Sequence, residues 1–268
     1  MSAESSAPSP SWVGRLRQTL TLVGAALWLA FNVPPLATWS THYEFAEAIQ
    51  FAVFAFVVPA LLVTGAPWRG WRLGRRASEA PVSSAEGARS SRLDRLAHAR
   101  SSGAYQQSAV FVAIGFAALT IAWRSAPAVD YLARHAWLSV IESMTLLLAG
   151  LALFSHLVQS PPLSPGIPRP YRIGIAAGVM WSAWVVAYLD AMSHSSWYDA
   201  YRHVAGRGVS LSADQQLSAG FIWFISAAVF VPIVFWNLIH WLQSEEDPNE
   251  ELVQLIREER TRGFFGSK

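Results

Sequence analysis

The chain has 268 residues, of which 53% are hydrophobic and 14% charged, with no cysteine and a formal charge of +2; soluble domains carry about a quarter charged residues. The missing thiols exclude disulfides, thiolate metal sites and cysteine nucleophiles. So little charge over such long apolar stretches leaves no water-facing surface for ordinary soluble domains and points to lipid.

Residues 1–14 are rich in Ser, Ala and Pro and read as a disordered tail. Arg15 and Arg17 then flank an uncharged run that extends to Tyr43, too long for the apolar core of a secretory signal, so a retained span is expected here. Six segments have the length and apolarity of a crossing: 17–37, 44–65, 104–124, 137–158, 171–191 and 216–242. Lipid cannot satisfy free backbone groups, and the alternation of barrel strands is absent, so each segment is expected to be helical. The expected fold is an all-α polytopic bundle of about six transmembrane helices occupying residues 15–245.

Between the second and third segments, residues 69–103 read as a mobile cytoplasmic loop. Its end, Arg92 to Arg100, fits either a basic helix on anionic lipid or a plain solvated connector. Residues 246–268 read as a cytoplasmic amphipathic tail, with Asp247 as helix cap, Pro248 at the first position and a stripe of Leu252, Leu255 and Ile256. That stripe suits a partner subunit or the chain's own inner face equally.

Charge placement sets the orientation. Of the 20 Lys and Arg residues, all but Arg124, Arg134, Arg202 and Arg207 fall on one side if both termini are cytoplasmic. A pI near 9.1 therefore reflects topology, and no nucleic-acid partner is expected. Trp39, Trp68, Trp123, Trp137, Trp197 and Trp241 lie near expected span ends, as aromatic belts require.

An ionisable group at the bilayer centre costs roughly 2.5 to 3.5 kcal/mol, so each one asks for an explanation. Glu47, Glu142, Asp190 and Asp214 all fall at the outer ends of expected spans. His42, His194, Gln50, Ser139 and Ser143 join them in the same layer, and helical spacing puts Ser139, Glu142 and Ser143 on one face and Glu47, Gln50 and Phe51 on another. Facing each other, these would form a polar pocket opening outward. One reading makes His42, Glu47, Glu142 and His194 metal ligands; the other makes the carboxyls hydrogen-bonded packing residues and leaves the histidines at the headgroups. His156 and His240, near the inner ends, fit interhelical hydrogen bonds better than haem ligation. Phosphate loops, dinucleotide fingerprints, nucleophile elbows and zinc helices are all missing, so no enzyme is expected. No charge sits near mid-span and no inverted repeat is evident, which leaves small-molecule transport as the third reading.

Two stretches, Val58-Pro-Ala-Leu-Leu-Val-Thr-Gly-Ala-Pro67 and Ser212-Ala-Asp-Gln-Gln-Leu-Ser-Ala-Gly-Phe-Ile-Trp223, resemble the CtaG family of cytochrome c oxidase assembly factors. Pro161 to Pro165 and the loop from Tyr198 to Tyr201 fit as well, and the resemblance covers roughly residues 15–245. It implies a membrane factor that helps place copper in a haem-copper oxidase, with paired histidines on two helices near the outer face. Here those positions hold Glu47 and Phe51, and Ser139 and Ser143; a further histidine position holds Arg124, after Trp123.

The expected role is therefore a non-catalytic accessory subunit or assembly factor of a respiratory or other energy-transducing complex in the bacterial inner membrane. Its expected partners are other membrane subunits, a haem-copper oxidase among them, and the lipid bilayer. No cofactor is required, though copper on a rearranged outer site is the alternative. Small-residue faces at Ala113, Gly115, Ala117 and Ala118, and at Gly174, Ala176, Ala177 and Gly178, would permit close helix approach, to a partner or within the chain.

Overall fold

The computed structural model describes residues 11–67, 103–135, 137–160, 165–193, 197–204 and 208–246. Most of the loop at 69–103, the tail helix after Asp247 and His194 lie outside these residues. The described chain is helical with no strand among its elements. Helix α1 is Ser11–Asn32 and α2 is Leu36–Trp39. Helix α3 runs over Glu44–Gly65. Helices α4, Gly103–Trp123, and α5, Ala126–Arg134, follow, then α6, Leu138–Leu157, and α7, Arg169–Met192. A single turn, α8, Asp199–Arg202, precedes α9, Leu211–Glu246.

Four of these helices, α3, α6, α7 and α9, are long and apolar enough to cross a membrane, and the bent pair α4–α5 makes five if it counts as one span. Helix α1 does not pass that test, although it has 22 residues. It also begins inside the stretch read as a tail, and it stops at Asn32 rather than residue 37, because Pro34 and Pro35 follow. Proline lacks the N–H a helix needs, and it biases the preceding residue away from helix.

Polarity is inverted relative to a soluble protein. Leu22, Phe111, Leu148, Phe224 and Trp236 are exposed, while Glu47, Arg124, Glu142, Asp190 and Asp214 are buried. Such a surface has lipid as its natural solvent. Helix α3 is the axis of the bundle, with α1, α6 and α9 packed along it and α7 against α9. The core is aromatic: Phe154 stacks on Phe230 with centroids 5.5 Å apart, and Phe56 meets Phe230 and Phe116 at 5.6 and 6.1 Å.

Two glycines make this packing possible. A Cβ on Gly150 of α6 would lie 2.5 Å from the Pro59 ring and 3.0 Å from the carbonyl oxygen of Ala55. That carbonyl is the one whose helical donor Pro59 cannot supply, and the adjoining turn, Val53–Val57, widens into a π-helix. Gly65 of α3 sits as tightly on α1, where a Cβ would meet Thr21 Oγ1 at 2.3 Å and the Arg17 carbonyl at 2.9 Å. The left-handed residue that ends α3 is Ala66, with φ of 50°.

Candidate functional site

The polar residues expected at the outer face do gather, since the starts of α3, α6 and α9 and the ends of α4 and α7 meet at one end of the bundle. At their centre is Arg124, expected at the outer end of the span 104–124 as a topology charge and as the occupant of a histidine position. It is only 3% exposed. The chain turns by 60° between α4 and α5, and this bend points the guanidinium into the bundle. Arg124 Nη1 donates to Glu47 Oε2. Its Nη2 donates to Ser218 Oγ at 3.2 Å and reaches Asp190 Oδ2 at 3.5 Å. The Ser218 hydroxyl itself donates to Asp190 Oδ2 at 3.4 Å. Above and below, the guanidinium carbon lies 5.1 Å from the Tyr198 ring centroid and 5.6 Å from that of Phe51.

The remaining acids have different tasks. Asp214 accepts from the backbone N–H groups of Glu44 and Phe45 at 3.1 and 2.9 Å, so a side chain of α9 caps the start of α3. Its neighbour Gln215 donates Nε2 to the Asp190 carbonyl, and at 3.4 Å to that of Ser193, where α7 ends. The Asp-Gln pair of the quoted motif thus ties two helix ends to α9. Gln50 donates to the Phe31 carbonyl at 2.8 Å, and Ser143 donates to Asn32 Oδ1 at 3.1 Å, which anchors the end of α1. Glu142 is 1% exposed, and its Oε1 has no hydrogen-bond partner among the described residues. Ser139 is half-buried.

The layer does not open outward as expected. Helices α5 and α8 lie over it, joined where the Ala200 N–H donates to Asp130 Oδ1 at 2.8 Å and where Val129, Tyr198 and Tyr201 form a small core. Tyr198 donates to the Arg124 carbonyl at 3.1 Å and Tyr201 to the Ser40 carbonyl at 2.8 Å. Burial pushes both phenols above their ordinary pKa, which keeps them as donors. The space between Arg124, Phe51, Phe56 and Ile222 amounts to about 10 Å³, no more than one water occupies. His42 stays outside on the surface, its Nδ1 within 2.8 Å of the Thr38 carbonyl. Among the described residues no three of His, Asp and Glu form a group able to hold a metal.

Sequence reasoning missed Ser218 and Glu44, the latter 2% exposed, and marked Arg124 only as a replaced histidine position, without its buried ion pairs. One signal was available for the arginine: several carboxyls at one buried end need a cation, and Arg124 closes an apolar helix immediately after Trp123.

No curated protein and no solved structure matches the chain. The model of the family described as cytochrome c oxidase caa3 assembly factor (Caa3_CtaG) matches residues 3–244. That span includes every described helix but the last two residues of α9, and with the two helix-end motifs it places the chain in the cytochrome c oxidase caa3 assembly factor family.

Proposed function

We propose that the chain acts without catalysis, as an accessory or assembly subunit of a cytochrome c oxidase-type complex in the bacterial inner membrane, with six crossings and both ends in the cytoplasm. In this reading α1 is a crossing of its own, held along α3 by the Gly65 contact and facing lipid through Leu22 and Leu29. The observation that carries the non-catalytic part is Arg124. It pairs with Glu47 and covers Phe51, the two positions of α3 where the family resemblance expects histidines.

A fixed guanidinium at that point supplies the positive charge that a bound ion would bring. A copper ion beside it would meet repulsion, and its nearest carboxylate is already paired. The donor set therefore fits an internal ion network better than a copper site. Association with other subunits is favoured by the outward face of α7, where none of the described residues lies within 4 Å of a Cβ added at Gly174 or Gly178. Small residues four apart on an exposed face allow another helix to approach closely.

The test is purification of the tagged chain in mild detergent with identification of bound proteins. Oxidase subunits are expected with the native chain and are expected to be lost in Gly178→Leu. Recovery of the native chain alone would contradict the proposal.

A further inference from the structure

At the opposite end of the bundle residues of α1, α3, α7 and α9 border a cleft of about 620 Å³, within the range of small-ligand sites. Its walls are apolar, formed by Leu20, Val57, Leu61, Val229 and Ile233. Three arginines, Arg17, Arg169 and Arg172, line it, and among the described residues no carboxylate does. Arg172 is fixed by donating to the Ile167 and Pro165 carbonyls at 2.9 and 3.1 Å, and Arg169 donates to the His240 carbonyl at 3.2 Å. A guanidinium has five N–H donors, so the single bond given for Arg169 leaves others for an anion.

We propose that this cleft binds an anionic phospholipid, with its phosphate at Arg17 and Arg169 and one acyl chain along the wall of α3 and α9. Charge complementarity commits the mouth to an anion, and the apolar wall commits the rest to hydrocarbon. A free phosphate would leave that wall uncovered. The cleft's borders also face the bilayer, with Leu16 and Trp236 exposed beside it, so the ligand arrives from the membrane itself. Basic pockets between transmembrane helices recognise lipid headgroups on the same physical basis.

Delipidated full-length protein in dodecyl maltoside, titrated with dioleoylphosphatidylglycerol or dioleoylphosphatidylcholine and followed by thermal unfolding, tests this. Phosphatidylglycerol is expected to stabilise at roughly thirtyfold lower concentration, from one favourable contact at each of the two arginines near the headgroup. Arg17→Gln with Arg169→Gln is expected to abolish that preference. Leu61→Trp, which fills the wall and keeps the arginines, is expected to weaken both lipids. Equal response of the native protein to the two lipids would overturn the proposal, as would equal protection by inorganic phosphate or a preference that survives in the double variant. The comparison on native protein decides even if a variant fails to fold.

Discussion

Arg124 shows how much one side chain settles at the polar end. Glu44, Glu47, Glu142, Asp190 and Asp214 are all buried at this end, and Arg124, the one buried arginine or lysine among the described residues, binds Glu47, Asp190 and Ser218. Removing one partner of a buried pair strands the other charge, at a cost of about 3 to 5 kcal/mol. Arg124→Met is therefore expected to destabilise by about that much in thermal unfolding. Arg124→Met with Glu47→Gln should recover part of the loss, since the stranded charge is gone, and strictly additive effects would show that the two side chains do not interact. The acids were legible in the sequence because each interrupts an apolar segment. The position of the arginine was marked by the resemblance but its inward pairing was not: a basic residue at a span end ordinarily reports topology, and this one lies buried beside the bend at Ser125.

Helix limits were legible from apolar length for α3 and α6, at Glu44–Gly65 and Leu138–Leu157, which fall within a residue of expectation, whereas α1 and α9 are displaced or extended by several residues. Helices α5 and α8 were not, because nine- and four-residue elements carry too little periodicity to stand out from a loop. Their role appears only when Asp130 and the backbone at Ala200 are in contact. Helix ends are held from other helices, and the Asp214 cap is the clearest case. Asp214→Ala is expected to cost about 0.5 to 2 kcal/mol and to speed amide exchange at Glu44 and Phe45; unchanged protection there would contradict the borrowed cap. Glycines divide in the same way. Gly150→Ala drives a methyl into Pro59 and is expected to cost about 1 to 3 kcal/mol, as overpacking does. Gly115→Ala meets none of the described residues within 4 Å and is expected to leave unfolding unchanged or slightly raise its midpoint, alanine being the better helix former.

At the scale of the whole molecule, the bundle has two unlike ends. One is a closed ion network under a cap of α5 and α8, the other an open cleft lined by arginines. Between them runs an aromatic core around α3, and the outer surface carries exposed apolar side chains suited to lipid and neighbouring helices. Family membership accounts for the helix order and the end motifs, while Arg124 marks where this chain departs from the resemblance it carries. The departure has a direct consequence for metal content. Protein purified from its membrane, loaded with copper and washed with chelator should retain well under one copper per chain. Stoichiometric copper that survives the wash and disappears in Glu47→Gln would contradict the reading of the polar end as an internal ion-pair network centred on Arg124.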